Sequence, residues 1–376
     1  MALIGGVSVR KAKKLLALAL CAGLTVTAFT GCGAKKTEKK ETKAEKTEKK
    51  AEDPFIKEAA SYIDLAEYKT ITLKTSEIDE KLQSQIDSML AASASYEQIK
   101  KGKVKDGDTV NIYYVGKMDG EAFEGGSCTE ESMPSGYDLT IGSNSFIDGF
   151  EDALIGKTIG KTYDIDVTFP KEYKNNPDLA GKPAVFTVTL NYKRGKKIEP
   201  KLTEEFVKAN LPDYKSVKEY KEKSRESIIR SMAVEKVCKD TKVNDYPKDR
   251  VSNMEKQIKT SIESYLTQNN STLDDYLAGL NITEEDYIAQ IETTSKQDVA
   301  NQLVYNAIAQ AENIEITDEE YKKELDTYMT NYGCEKESDL NETFNDMYGT
   351  TANMIINNEL LYSKIADYLA GNVKES

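Results

Sequence analysis

Apolar positions follow two different periods along this chain, and the change of period divides it. Between residues 105 and 195, apolar and polar residues alternate in short runs bounded by glycines and turn residues. Alternation with period two is typical of β-strands that bury one face. The pattern predicts strands over Thr109–Val115, Thr162–Phe169 and Ala184–Tyr192, a turn at Met118–Glu121 and a short helical stretch over Phe150–Leu154.

Beyond residue 200 the apolar residues recur at helical spacing. Two such faces consist of Val217, Tyr220, Ser224, Ile228 and Met232, and of Leu361, Ile365 and Leu369. Thr283 with Asp286, and Thr317 with Glu320, have the spacing of a capping box and predict two helix starts.

A further helix is predicted from Ser76 to about Lys100, ahead of the β region. Its apolar face consists of Ile78, Leu82, Ile86 and Met89. This face needs an apolar partner, and we expect that partner to be the C-terminal helical region. The β region would then be inserted between two parts of one helical body. Glycine content supports the division, since 12 of the 22 glycines lie in residues 105–195 and only four lie in 200–376.

The first 53 residues have a different character. Four basic residues between Arg10 and Lys14 precede an apolar stretch from Leu15 to Phe29, which is shorter than the roughly 20 residues that span a bilayer and suits a signal peptide. The sequence Phe29-Thr30-Gly31-Cys32 resembles a bacterial lipobox, in which Cys32 would be lipidated; an ordinary secretory signal with an incidental cysteine is the alternative. Residues 32–53 alternate Lys, Thr and Glu without a core, which predicts a disordered tether.

Composition removes several classes of function. The chain has no histidine, which excludes Ser–His–Asp and Cys–His triads and His-ligated metal sites. Residues 54–376 carry 39 basic against 58 acidic residues, so we expect no nucleic-acid partner. Cys128, Cys238 and Cys334 form no CxxC pair, so we predict unpaired thiols, no metal site and no cofactor. Gly156–Thr162 lacks the glycine spacing of a phosphate-binding loop.

Three blocks in the β region, Asp119–Gly126, Tyr137–Gly142 and Phe146–Leu154, resemble an FKBP-type peptidyl-prolyl isomerase domain. Asp166–Tyr173 and Leu179–Phe186 make the resemblance closest to the trigger-factor branch of that family. Outside the β region, residues 64–90 and the helices after Leu202–Phe206 are similar to other parts of a trigger factor. The resemblance covers about residues 60–370.

The resemblance implies an α+β fold, in which an FKBP-like antiparallel β-sheet domain with a short helix is joined to an elongated all-α chaperone domain. We therefore divide the chain into a lipoprotein signal peptide (1–31), a tether (32–53), a strand and helix that pack on the C-terminal body (54–104), an isomerase domain (105–195) and a helical chaperone domain (200–376).

The resemblance also implies a set of site residues. The catalytic positions would be Tyr114, Phe123, Glu124, Phe146, Ile147, Phe150 and Phe186, and the substrate-binding positions Tyr137 and Tyr173. Phe150 would form the aromatic floor, the backbone N–H of Ile147 would hold a substrate carbonyl, and Glu124 would supply an acidic edge. The alternative for each aromatic residue is that it only packs in the core of a small β domain.

We find no ribosome-docking signature of the trigger-factor type, so we expect no ribosome binding. The expected function is a membrane-anchored, extracytoplasmic isomerase and chaperone for unfolded or nascent secreted polypeptides with X–Pro bonds. It would lie on the outer face of the cytoplasmic membrane, attached through its lipid anchor. One alternative is a non-catalytic holdase or adaptor lipoprotein that binds unfolded polypeptides. A solute-binding lipoprotein fits the anchor but not the glycine-poor helical half.

Overall fold

The computed structural model describes residues 58–173 and 176–376. The strands are β1 (Ile63–Asp64), β2 (Ile71–Leu73), β3 (Ser95–Ile99), β4 (Thr109–Met118), β5 (Glu121–Cys128), β6 (Tyr137–Thr140), β7 (Thr162–Thr168), β8 (Pro183–Ile198), β9 (Lys242–Val243) and β10 (Val373–Glu375). The α-helices are α1 (Thr75–Ala92), α2 (Phe150–Leu154), α3 (Glu204–Asn210), α4 (Val217–Asp240), α5 (Lys248–Gln268), α6 (Leu273–Leu280), α7 (Glu284–Glu312), α8 (Asp318–Tyr332), α9 (Glu337–Tyr348) and α10 (Ala352–Gly371). Short 3₁₀ helices cover Ala59–Tyr62 and Pro177–Leu179. The predicted α+β class is confirmed.

The described chain forms two compact units. Of the described residues, one unit holds 58–83 together with 213–376, and the other holds the described part of 84–212. The chain therefore leaves the first unit within α1 and returns to it just before α4. These boundaries differ from the 104/105 and 195/200 limits drawn from composition, because β3 pairs with the end of β8 and residues 93–104 thereby belong to the β-sheet unit.

The β unit is built on an antiparallel sheet with the order β3-β8-β4-β5, in which β6 also pairs with β4 and β7 with β8. The turn between β4 and β5 lies at Asp119 and Gly120, whose φ angles are 51° and 88°. Two successive positive φ angles are characteristic of a tight hairpin turn, which confirms the turn predicted at Met118–Glu121. Inward-facing apolar residues of β4, β7 and β8 form a core with α2; its fully buried members include Val110, Ile112, Leu154, Val188 and Leu190.

The helical unit has several apolar clusters. The largest joins residues from the N-terminal segment, α1, α4, α7 and α10, and it includes Ile78, Ile228, Leu303 and Ile365. Ile78 is fully buried, and Leu82 packs against the same cluster. The first turns of α1 therefore contribute to the body formed by the C-terminal helices.

The end of α1 corrects the prediction of a helix reaching Lys100. The helix ends at Ala92, and Ser93 donates a hydrogen bond from its hydroxyl to the carbonyl of Met89 at 2.9 Å. Residues 95–99 are extended because they pair with β8, where Ser95 lies opposite Ile198 and Ile99 opposite Lys193. Strand pairing in the folded unit overrides a local pattern that is compatible with helix.

The two capping boxes are confirmed. The hydroxyl of Thr283 accepts from the Asp286 N–H while the Asp286 carboxylate accepts from the Thr283 N–H, and Thr317 and Glu320 form the same reciprocal pair. Within the described residues, no helix combines the length and the apolar character needed to cross a membrane.

Candidate active site

The candidate site lies in the β unit, where rings from four strands, two loops and α2 come together. Tyr114 is on β4, Phe123 on β5, Tyr137 at the start of β6 and Phe186 on β8. Gly116 pairs with Phe186 in the sheet, and Tyr114, two residues earlier, projects from the same face. Strand pairing therefore brings Tyr114 and Phe186 together although they are 72 residues apart in sequence.

Phe150 is the ring around which the others pack. It is fully buried, its ring centroid lies 5.3 Å from that of Phe186 in an edge-to-face arrangement, and Phe146 stacks on it at 4.4 Å. Tyr114 contacts all three of these rings, at centroid distances of 5.3–6.3 Å. Such pairs each stabilise a protein by about 0.5–1.5 kcal/mol beyond the area they bury.

The stacking of Phe146 on Phe150 changes the role predicted for Phe150. A floor that contacts substrate must have accessible surface, but Phe150 is 0% exposed. Phe146, from the loop before α2, covers it and is itself half-buried. In this structure Phe150 therefore lies beneath Phe146, and of these two rings it is Phe146 that has accessible surface.

Phe123 and Tyr173 belong to a second part of the cluster. Phe123 contacts Phe186 at 5.8 Å, and Phe169, which contacts Phe123 at 5.7 Å, contacts Tyr173 at 5.0 Å. Phe169 was not among the predicted site residues. Its signal is nevertheless present in the sequence, since Ile165, Val167 and Phe169 alternate along β7 and its extension, and all three are buried.

Two glycines make room for these rings. A Cβ atom at Gly116 would lie 2.6 Å from the Phe186 ring and 2.7 Å from the Phe123 ring, and a Cβ at Gly126 would also collide with Phe123. Neither glycine has a left-handed φ angle, so the requirement is for space rather than for backbone freedom. The rings of Phe123 and Phe186 thus pack directly on the backbone of β4 and β5.

Two predicted positions, Ile147 and Glu124, are not aromatic. Ile147 is half-buried against the same core, and within the described residues its backbone N–H has no acceptor, so it can donate to a ligand. Glu124 is exposed on β5, and its carboxylate has no hydrogen-bond or ion-pair partner among the described residues. The structure brings together every predicted aromatic residue and Ile147, whereas Glu124 lies on the surface beside Phe123.

The chain has no histidine, so the site contains no imidazole that could exchange protons near neutral pH. The pKa of Tyr114 is raised above its ordinary value, mainly because the phenol is buried. The neighbouring Cys128 and Tyr137 raise this pKa further. The phenol therefore remains neutral. Among the described residues, no three Cys, Asp or Glu side chains are grouped as metal ligands would be. The described cysteines Cys128, Cys238 and Cys334 are free thiols, as predicted.

The helical unit contains a second candidate site, a cleft of about 1350 Å³ lined by α4, α5, α7, α9 and α10. Its walls mix tyrosines, side-chain amides and carboxylates. Burial raises the pKa of Asp298, in the wall formed by α7, to about 6. Burial also raises the pKa of Glu359 on α10, although the hydroxyl of Tyr328 donates to that carboxylate at 2.6 Å and opposes the shift. The cleft thus holds two partly desolvated carboxylates.

Comparison with known proteins identifies relatives of both units. Residues 100–191 match the family described as FKBP-type peptidyl-prolyl cis-trans isomerase, and residues 213–371 match the family described as bacterial trigger factor protein (TF) C-terminus. Trigger factor from Staphylococcus carnosus is 31% identical over 326 residues, which cover 83% of this chain and 70% of that protein. Trigger factor from Staphylococcus epidermidis is 32% identical over 338 residues, covering 85% and 74%. A solved structure described as "Promiscuous Substrate Recognition in Folding and Assembly Activities of the Trigger Factor Chaperone" aligns with a TM-score of 0.35 and 15% identity, covering 82% of this chain and 72% of that one.

Replacing Gly116 with alanine tests the ring packing. The added methyl group has to displace Phe123 or Phe186, and overpacking of this kind typically costs about 1–3 kcal/mol. We expect G116A to lower the free energy of unfolding of the β unit and to change its near-ultraviolet circular dichroism. S127A, at an exposed position on β5, is the control and should change neither. A G116A protein with unchanged stability and spectrum would show that the rings do not pack on this backbone.

Replacing Asp298 with asparagine tests its desolvation. Because the folded-state pKa is raised above the ordinary value of 3.8, the ionised form destabilises the fold, and this cost grows as pH rises from about 4 through 6. D298N should therefore have a higher melting temperature than the wild-type protein at pH 7–8, and the difference should shrink towards pH 4. D326N, which alters an exposed residue of α8, should show no such pH-dependent gain. Equal melting temperatures at pH 8 would mean that Asp298 is well solvated.

Proposed function

The chain belongs to the trigger factor family, and from this premise we propose that it is an active peptidyl-prolyl isomerase and chaperone anchored outside the cytoplasmic membrane. It is a trigger factor-like protein for protein folding, with an FKBP-type isomerase domain. The observation that carries the catalytic part of the proposal is the aromatic cluster around Phe150, which ends in half-buried rings beside the unengaged N–H of Ile147.

The chemistry of isomerisation needs no proton donor, proton acceptor or nucleophile. Rotation about an X–Pro bond faces a barrier of about 18–20 kcal/mol, because the planar amide is stabilised by resonance that places negative charge on oxygen and positive charge on nitrogen. Water supports this charge separation, and an apolar surface does not. Transfer of the imide from water onto aromatic rings therefore favours the twisted state, in which resonance is lost. A reduction of about 5 kcal/mol gives on the order of 10³–10⁴ in rate.

The residues of the cluster divide this task between them. The rings of Phe146, Tyr137, Phe123 and Tyr173 are half-buried and supply the apolar surface for the proline. The N–H of Ile147 donates to the substrate carbonyl and fixes one side of the bond that rotates. Phe150 and Phe186 are buried and hold these groups in position. No step transfers a proton or forms a covalent bond.

The cleft of the helical unit is proposed to hold unfolded segments of clients. Asn253 and Gln257 on α5 and Asn358 on α10 line it with side-chain amides that make no hydrogen bond within the described residues. An amide both donates and accepts, so it can pair with a peptide backbone of any sequence. Met354, which is 41% exposed, adds an adaptable apolar contact in the same cleft.

The proposed cellular location is inferred from the sequence of residues 1–53, which lie outside the described residues. A basic segment, an apolar stretch and the sequence Phe29-Thr30-Gly31-Cys32 support export and lipidation of Cys32. The Lys/Thr/Glu segment that follows would act as a tether of roughly 25 Å. We propose that the protein acts on the outer face of the cytoplasmic membrane, on secreted polypeptides that contain X–Pro bonds, and away from the ribosome.

A non-catalytic holdase is the second candidate, and the cover that Phe146 forms over Phe150 favours it. If Phe146 remains stacked on Phe150 when a peptide binds, the FKBP-type domain binds extended chains on its surface without enclosing a proline. The two candidates differ in one measurable property, the rate of cis–trans exchange of a prolyl peptide.

An isomerisation assay with the F123A variant separates these candidates. Phe123 is half-buried, so its truncation removes apolar surface from the site with less damage to the core than truncation of the fully buried Phe150. We expect the wild-type protein to accelerate exchange of a prolyl tetrapeptide and F123A to lose roughly tenfold or more in kcat/KM. The exposed E121A change on the same strand is the control. If the wild-type protein does not exchange the peptide faster than the uncatalysed rate, the isomerase is excluded and the holdase is the remaining candidate.

Metabolic labelling with a fatty-acid probe tests the anchor. The wild-type protein should carry the probe and fractionate with membranes, whereas C32S should lose the label and appear in the soluble extracytoplasmic fraction. C21S is the matched control, since Cys21 lies within the segment that the signal peptidase would remove. Label that persists in C32S would rule out Cys32 as the acceptor.

A further inference from the structure

Glu151 is a buried carboxylate inside the candidate active site, and the proposed mechanism gives it no task. It is the second residue of α2, directly after Phe150, and it is only 7% exposed. No cation pairs with it in the described part of the chain. A carboxylate in such a position requires hydrogen-bond donors from its surroundings.

Those donors come from the loop that precedes α2. One carboxylate oxygen accepts from the N–H groups of Gly142 at 2.8 Å and Asn144 at 3.2 Å. The other oxygen accepts from the N–H groups of Ser145 at 2.9 Å and Phe146 at 3.2 Å. The hydroxyls of Ser143 and Ser145 lie 3.3 and 3.4 Å from this second oxygen. A single side chain therefore satisfies four backbone donors of a five-residue segment.

The balance of these interactions keeps Glu151 ionised. Burial alone would raise its pKa, but the four backbone N–H groups outweigh burial and the net pKa lies below the ordinary value of 4.5. Hydrogen bonds to an ionised acceptor are about twice as strong as neutral ones. The negative charge thus stabilises a loop conformation that the backbone disfavours, since Gly142 and Asn144 have φ angles of 87° and 54°.

The last donor of this loop is the residue that stacks on Phe150. The backbone N–H of Phe146 donates to the Glu151 carboxylate, which fixes the backbone at this residue. Ile147 is the next residue, and its N–H has no acceptor among the described residues. Two of the groups that meet the substrate in the proposed mechanism, the Phe146 ring and the Ile147 N–H, therefore belong to or directly follow a segment that is fixed by one carboxylate.

We infer that Glu151 is a positioning residue for isomerisation, which sets the Phe146 ring and the Ile147 N–H in the orientation that the reaction requires. This inference rests on the proposed isomerase activity. It gives the buried acid a role through the loop, without contact with the substrate. A glutamine at this position would present an NH₂ group to two of the backbone donors, so it keeps the size of the side chain and loses half of its acceptors.

The experiment compares E151Q, E151D and the control D152N in the full chain, with Asp152 chosen because it is the exposed next residue of α2. For each protein, kcat/KM with a prolyl tetrapeptide, the melting temperature and amide hydrogen exchange of residues 142–147 are measured. We expect E151Q to lose roughly ten- to a hundredfold in kcat/KM, as displacement of a positioned group by about 1 Å can do. The loop amides should exchange faster. E151D, which keeps the charge, should recover part of the activity, and D152N should match the wild type.

The outcomes separate the inference from a purely structural role and from failure of the proposed function. If folded E151Q has a lower melting temperature but the kcat/KM of the wild type, the inference is overturned, because isomerisation would then not depend on Glu151. If E151Q does not fold, E151D decides: faster exchange of the loop amides must be accompanied by reduced kcat/KM, and unchanged kcat/KM overturns the inference. A wild-type protein without activity would instead remove the isomerase function itself.

Discussion

The stacking of aromatic rings on Phe150 is the interaction on which the candidate site depends. Phe150 lies at the start of a helix of only five residues, and such a helix has little stability of its own. Its position is set by contacts with Tyr114 of β4, Phe186 of β8 and Phe146 of the preceding loop. Each of those residues is in turn positioned by strand pairing or by Glu151. The site is therefore preorganised by the fold of the sheet, and we expect a small change in sheet packing to displace the rings.

Much of the fold follows from patterns that act locally. Alternation along β4, β7 and β8, the Asp119–Gly120 turn and the Thr–acid capping pairs each specify one conformation through interactions between near neighbours. The helix predicted to reach Lys100 shows where this reasoning stops. Residues 95–99 become a strand because β8 offers a partner almost 100 residues later in sequence, and no local property of Ser95–Ile99 contains that information.

The candidate site shows the same limit at finer scale. The aromatic members were identified by resemblance and the structure groups them, but which ring is exposed and which is buried depends on packing. Phe150, expected as the floor, is fully buried beneath Phe146. Phe169 could have been found from the alternation along β7. Glu151 had no such signal, since an acid after Phe150 looks like an ordinary surface residue until the loop from Gly142 to Phe146 folds over it. Burial of charge is decided by the folded chain and cannot be seen in spacing.

The most direct test of the catalytic account is a two-dimensional NMR titration of the labelled protein with a prolyl peptide. The account predicts that the Ile147 amide moves downfield as the peptide binds, that ring resonances of Phe146 shift with it, and that exchange cross-peaks between the cis and trans forms of the peptide appear on the same titration. Peptide binding that shifts only resonances of the helical unit, with cis–trans exchange at the uncatalysed rate, would contradict it.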